Sequence, residues 1–373
     1  MVKSLKIRLI PTEQQEELMF KTIGCSRFAY NWALSKCNEH YESGEKYSMS
    51  NIRKEFTQLK KQEDYKWLNE VSNTAMVESM RNLDKAFKSF FKKNNKYPKF
   101  KSKRKSKQSF YVRYDALYFK DNVCNIEKIG KVKFKTNYKI PNCKYSNPYC
   151  SYDGRYWYLS FGVEVEENQT TLNPKLSIGI DLGVKELAVC SNGITIKNIN
   201  KTKRVKKLKK QLKRTQRQIS RKYEYNKQRN KFVKTQNIIK LEHKAKMIYR
   251  RLSNIRNNHI HQSTARIVNE KPYRVVMEDL NIVGMMKNKH LSKAIAEQCL
   301  YEFIRQMKYK CEWNGIEFIQ VDRYYPSSKT CSNCGNIKID LKLKDRTYVC
   351  EHCGLEINRD YNASINLSNY ELV

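Results

Sequence analysis

Two Cys-x-x-Cys pairs stand near the C-terminal end of the chain, Cys331-Ser-Asn-Cys334 and Cys350-Glu-His-Cys353, with fifteen residues between them. Such a turn lets two thiolates reach one ion at ~2.3 Å, and two turns complete a tetrahedral zinc shell with no position left for water. The expected role is structural, supplying folding energy to a segment too small to bury a core of its own. Gly335 and Gly354 follow the pairs at once, and His352, inside the second knuckle, is surplus to a shell that four thiolates fill. Disulfides are the weaker reading, because the chain shows no secretory leader.

Carboxylates form the second set. Asp181 ends the apolar run LSIGI, Glu278 and Asp279 end RVVM, and Asp360 lies in NRDYNASINL just after the second cysteine pair. On local grounds Asp360 reads as the N-cap of a last helix. Strand alternation puts Met277 and Asp279 on one face and Glu278 on the other, and leaves open which acid turns toward the Asp181 strand. If three acids converge, mutual repulsion raises their pKa values unless divalent cations bind between them. An oxygen-only set favours Mg²⁺ or Mn²⁺, and two ions ~4 Å apart suit in-line phosphodiester hydrolysis.

The charge points to the same substrate class. Lysine and arginine total 74 against 37 acids, a formal net charge of +37, which implies a polyanionic partner. No apolar run reaches the length of a membrane span, so nucleic acid is the expected partner, not a membrane. The expected location is the bacterial cytoplasm, nucleoid-associated, with the chain a monomer or weak dimer.

The elements that must hold these residues follow from periodicity. KSLKIRLI alternates as a strand, and helical spacing runs from Thr12 to about Lys93. Residues 91–108 carry nine basic residues and no acid, interleaved with Phe91, Tyr97 and Phe100, which suits a nucleic-acid surface better than a solvated linker. Residues 109–170 read as short strands of a small barrel or sheet that the first strand joins. From 173 onward strands and helices alternate as in an α/β domain. Within it, residues 201–250 hold 20 Lys or Arg against Glu224 and Glu242, with apolar seams at Val205, Leu208, Leu212 and Ile219 and at Leu241, Ile248, Leu252 and Ile255. This predicts a basic helical hairpin over 201–256. A helix over about 290–313, a strand at IEFIQVDRY and the cysteine cluster follow.

GIDLGVKELAV, MEDLNIVGM, SSKTCSNCG, CEHCG and NRDYNASINL, in this order, resemble the TnpB proteins of bacterial insertion sequences, RuvC-like nucleases related to the ancestors of type V CRISPR effectors. GCSRFAYNWAL, NLDKAFKSFF and YPKFKSKRKSKQSF extend the resemblance over nearly the whole chain. It implies a multidomain α+β protein: an RNase H-like (RuvC) α/β nuclease domain over 173–373 with an inserted zinc ribbon at 327–357, a small wedge-like β-barrel from 1–11 and 105–172, and a helical recognition domain at 12–104. By resemblance the metal-binding catalytic acids are Asp181, Glu278 rather than Asp279, and Asp360. Asn358 stands where family members often carry an acid. The implied function is that of a transposon-encoded RNA-guided DNA endonuclease, holding a noncoding guide RNA and cutting target DNA beside a short adjacent motif in a Mg²⁺-dependent reaction.

Candidate contacts to nucleic acid are Lys99, Lys101, Lys103, Arg104, Lys206, Lys207, Lys209, Lys210, Arg214 and Arg217. Two competing readings are a guided DNA-binding repressor that does not cut and an unguided zinc-ribbon binder, which leaves Asp181 and Glu278 without a role. His259-Ile260-His261 echoes the paired histidines of tyrosine transposases, but that pair needs a strand, and NNHIHQSTARIVNE has helical spacing.

Overall fold

The computed structural model describes residues 1–166, 171–229, 231–342 and 345–371. The chain folds as two compact units, Met1–Glu166 and Glu167–Val373.

The first unit opens with β1 (Val2–Ile10) and α1 (Glu13–Glu42), whose start is fixed by a capping box: Thr12 Oγ1 accepts from Gln15 N, and Gln15 Oε1 accepts from Thr12 N. Helices α2 (Met49–Leu59) and α3 (Asn73–Phe91) pack on α1 around Ala29, Ala33, Leu34, Phe56, Met80 and Leu83. Six strands follow: β2 (Ser109–Tyr111), β3 (Phe119–Lys120), β4 (Val123–Ile126), β5 (Gly130–Lys135), β6 (Ser146–Tyr152) and β7 (Trp157–Glu164). With β1 they form a seven-stranded antiparallel sheet in the order β2-β6-β7-β1-β5-β4-β3. Four strand spacings separate β3 from β7, roughly 19 Å on a flat sheet. The rings of Phe119 and Phe161 nevertheless lie 4.9 Å apart, so the sheet curls strongly around its aromatic core, although the edge strands β2 and β3 share no ladder. Met19, Ile23 and Ala75 of the helices join the same core as Ile7, Trp157 and Phe161 of the sheet.

The basic stretch after α3 is not a loose linker. Tyr97 donates its hydroxyl to Asn38 Oδ1 at 2.6 Å and packs its ring on Phe87 and Phe90. Asn31 grips the backbone of Lys101 from both sides, at 2.7 and 2.8 Å. Of its three aromatics, Phe91 and Phe100 remain the more open faces, 66% and 58% exposed.

The second unit is built on a five-stranded sheet. Its strands are β8 (Asn173–Leu182), β9 (Glu186–Cys190), β10 (Thr195–Lys197), β13 (Pro272–Glu278) and β14 (Glu317–Val321), in the order β10-β9-β8-β13-β14. The first three are antiparallel, while β13 runs parallel to both β8 and β14. Between β10 and β13 stand α4 (Lys203–Tyr225) and α5 (Gln236–Asn269), joined by a tip containing the two-residue strands β11 (Lys227–Gln228) and β12 (Lys231–Phe232). Val205, Leu208 and Leu212 meet Ala245, Ile248 and Leu252 along the predicted seam. The second helix outruns its expected end at 256, because Ile260, Ile267 and Val268 continue into the core of the sheet. His259 and His261 therefore sit on a helix, which removes the strand that a transposase histidine pair requires.

After β13 come α6 (Ile282–Met285), α7 (Ser292–Gln298) and α8 (Leu300–Trp313). The single helix expected over 290–313 is broken at Cys299, whose φ of 55° and ψ of 43° are left-handed. The chain ends in the ribbon strands β15 (Thr347–Val349) and β16 (Glu356–Asn358) and then α9 (Arg359–Ser368). No helix among the described residues is long and apolar enough to cross a membrane.

One side of the sheet is covered by α5 and α8 over Val275 and Met277, the other by α9, whose Leu367 packs with Val276, Ile319 and Val321. Gly179 on β8 makes that second contact close: a Cβ there would overlap the Ser364 carbonyl oxygen and the Ser368 nitrogen and stand 2.8 Å from Leu367 Cβ. Gly179→Ala is expected to push α9 off the sheet and destabilise the unit by about 1–3 kcal/mol, read as a fall in thermal midpoint. An unchanged midpoint would mean that the helix does not bear on the strand here.

Candidate active site

Two residues beyond Gly179, and hence on the same face of β8, stands Asp181. On β13, Arg274 reaches the Ser368 carbonyl and Val276 packs on Leu367, so this face of the strand also looks toward α9. Glu278 is the next residue of that series, one position past the register pair of Met277 with Ile180. Asp279 belongs to the other series, and its carboxylate pairs with exposed Arg323 at 2.6 Å. The choice left open by alternation is thus decided by which face α9 covers.

Asp360 lies in the first turn of α9 without capping it. Asn358 is the N-cap, and its Oδ1 accepts from the backbone nitrogens of Asp360 and Tyr361 at 3.0 and 3.1 Å. The local reading of Asp360 as a cap is corrected: an equally good capping residue two positions earlier takes the role, and the Asp360 carboxylate is released toward its neighbours.

Burial, then the charges of Glu278 and Asp360, push Asp181 from the ordinary carboxylate range up to about 8, with Arg359 opposing. The other two acids lean on local partners. Glu278 accepts a short hydrogen bond from the Ser327 hydroxyl. Asp360 meets Arg359 at 3.0 Å and Arg346 at 3.9 Å. Among the described residues the cysteine quartet gathers its potential ligand atoms within 4.8 Å of one another. A buried acid that burial first, and the charges of Glu278 and Asp360 second, hold well above its ordinary pKa suits divalent cations, which would offset both effects.

Cys331, Cys334, Cys350 and Cys353 could hold zinc. The Cys331–Cys353 and Cys334–Cys350 sulfurs are 3.6 Å apart, far beyond a disulfide bond and close to the roughly 3.8 Å edge of a tetrahedron with Zn–S of 2.3 Å. The two knuckles are equivalent turns: Gly335 N donates to Cys331 O and Gly354 N to Cys350 O, both at 2.9 Å, and both glycines have φ of 75°. That left-handed conformation explains the glycine after each pair. Tyr348 is buried beneath the quartet.

Several supporting residues escaped sequence reasoning. Asn362 bonds both Ser332 N and Thr330 O, and Asn366 bonds the Ser327 and Thr330 carbonyls at 2.7 and 2.6 Å, which ties the base of the ribbon to α9. Ser327 lies in the run SSKT, where nothing local distinguishes it from a turn serine. Of the predicted basic residues, Lys99, Lys103, Arg104, Lys206, Lys207, Lys210, Arg214 and Arg217 are exposed. Lys209 instead pairs with Glu297 at 2.5 Å, and Arg256 joins the same carboxylate at 3.5 Å.

A protein of Streptomyces pristinaespiralis named for an RNA-guided DNA endonuclease is 30% identical to this chain over 374 residues, covering 98% of this chain and 88% of its own length. The chain belongs to the TnpB family. A second relative, from Escherichia coli K12 and named likewise, is 27% identical over 98% of this chain and 91% of its own. Family models match residues 160–289 (probable transposase), 301–367 (Cas12f1-like, TNB domain) and 1–46 (helix-turn-helix domain). In this TnpB member the last segment is a strand and one uninterrupted helix, β1 and α1. A Cas12f1–sgRNA–target DNA complex spans the whole chain at 18% identity and a TM-score of 0.38, too low to carry weight.

Proposed function

We propose that the chain is a transposon-encoded RNA-guided DNA endonuclease that hydrolyses phosphodiester bonds at Asp181, Glu278 and Asp360. The observation that carries the site assignment is the placement of Asp181 and Glu278 at the ends of the neighbouring strands β8 and β13, on the face that α9 covers, with Asp360 in the first turn of α9; the upward push on Asp181 from burial and the other two acids agrees with it. The antiparallel-then-parallel strand order of the sheet supports an RNase H-like core, and the relatives' names support guide RNA and target DNA as partners.

The three acids would hold Mg²⁺ or Mn²⁺, which when bound supplies Lewis-acid stabilisation of the phosphodiester oxygens and an activated water. The chain's own contribution is orientation. Ser327 holds Glu278, Asn358 starts the helix that presents Asp360, and Arg359 and Arg346 balance the Asp360 charge. The quartet would hold a structural zinc. The curled sheet is read as the wedge-like domain and α1 to α3 as the recognition domain, with the chain a monomer or weak dimer.

Exposed lysines on α4 are read as phosphate contacts. Changing Lys206, Lys207 and Lys210 together to glutamine is expected to weaken nucleic-acid binding and to flatten its log–log salt dependence by about one unit per lost contact. An unchanged slope would reassign them to a solvated face.

The test of the whole reading is to express the chain with its native flanking DNA, sequence the RNA that copurifies, and offer a matching DNA target with Mg²⁺. One defined RNA and matched cleavage support it. Random cellular RNA without cleavage would overturn it in favour of a simple binder.

A further inference from the structure

Within the first unit, α1, α3, β6 and the basic stretch enclose a cavity of about 140 Å³ with an unusual lining. Arg27 of α1 and Lys101 and Lys107 of the basic stretch border it, and no carboxylate does among the described residues. Arg27 is part-buried and Lys107 exposed, and among the described residues neither side chain makes a hydrogen bond or ion pair. Lys101 is half-buried, which lowers its pKa by desolvation, and its Nζ lies 3.8 Å from the centre of the Tyr30 ring. Ser26 lines the same cavity. It is 6% exposed, and its Oγ is buried without a hydrogen-bond partner.

Each of these features is unfavourable by itself. A buried hydroxyl without a partner costs about 1–3 kcal/mol, and three cations around one small cavity repel each other. A single anion with acceptor oxygens relieves both, and the cavity has room for a phosphate group with a few waters. Placement is built in: Asn31 holds the backbone of Lys101, while Asn82 and the Tyr149 hydroxyl, 3.2 Å apart, close the neutral wall.

We propose that this cavity seats one phosphodiester group of a bound nucleic-acid strand, with Arg27, Lys101 and Lys107 supplying charge and Ser26 a hydrogen bond. The inference deepens the nucleic-acid reading above and rests on it. It adds Ser26, Arg27 and Lys107 to the contacts and gives Lys101 an anionic partner.

The experiment uses the full chain, freed of copurified nucleic acid, and its Ser26→Ala, Arg27→Gln and Lys107→Gln variants. Affinity is measured against a short RNA strand and a short DNA duplex at several salt concentrations, beside the thermal midpoint of each free protein. Arg27→Gln and Lys107→Gln are each expected to weaken one probe by about tenfold and lower the salt slope by about one. The probe that loses affinity identifies the strand. Ser26→Ala is expected to weaken the same probe by about fivefold while the free protein melts no lower, since removing an unpartnered buried hydroxyl relieves a penalty. Parent-like affinity and slope in all three variants would overturn the proposal. Should the parent bind neither probe, the nucleic-acid reading itself fails, and inorganic phosphate decides the cavity. A midpoint raised by phosphate over chloride at equal ionic strength, and lost in Arg27→Gln, sustains an anion seat; no rise removes it.

Discussion

Asp181→Ala is expected to lower Mg²⁺-dependent DNA cleavage by about a thousandfold or more while RNA binding stays within about twofold of the parent. The size follows from what the carboxylate does. Losing one of three acidic ligands removes several kcal/mol of charge stabilisation from the transition state, and each 1.36 kcal/mol is tenfold in rate. Glu278→Ala and Asp360→Ala should match it, because on the proposed assignment the three act as one set and their losses are not additive. Asp279→Ala is the internal control: its carboxylate, just past the end of β13, pairs with exposed Arg323, so cleavage should hold within a few fold. Stability separates the chemical role from a structural one. Asp181 is an acid that burial and neighbouring charge push up to about 8, so its removal in metal-free buffer should leave the thermal midpoint no lower. Substantial cutting by any of the three variants, or equal loss in Asp279→Ala, would sink the assignment.

That control also marks where sequence reasoning stops. The ends of LSIGI and RVVM announce acids at strand termini, because an apolar run followed by a carboxylate is a local pattern. Choosing between Glu278 and Asp279 requires knowing that α9 covers the Arg274 and Val276 face, a contact between residues about ninety positions apart. The resemblance to TnpB supplied Glu278; the packing of Leu367 on Val276 supplies a physical reason. Asp360 shows the opposite failure, since Asn and Asp are nearly equal as caps and local preference cannot rank them across two positions. Cys299 in a left-handed turn was invisible, because cysteine gives no warning of positive φ. The cysteine knuckles were legible in full, because ligand spacing and the glycine after each pair are set within five residues.

Cys350→Ser is expected to release the zinc, from about one ion per chain to near none by atomic absorption, and to abolish cleavage as well. The first effect follows from the donor set: a structural zinc of this kind contributes about 10 kcal/mol or more, against a core of only Cys331, Tyr348 and Cys350 with a few flanking apolar groups. The second follows from connectivity. The ribbon starts where Asn362 and Asn366 of α9 hold the Ser327 and Thr330 carbonyls, and Ser327 itself donates to Glu278. Loosening the ribbon therefore frees two of the three acids at once. The pairing of readouts distinguishes this from damage at the acids, since Asp181→Ala must keep its zinc while losing cleavage, whereas Cys350→Ser must lose both. Full zinc content in Cys350→Ser would show that the quartet does not close around the ion. Full cleavage without zinc would show that α9 holds Asp360 in place through its packing on Gly179 and Val276 alone.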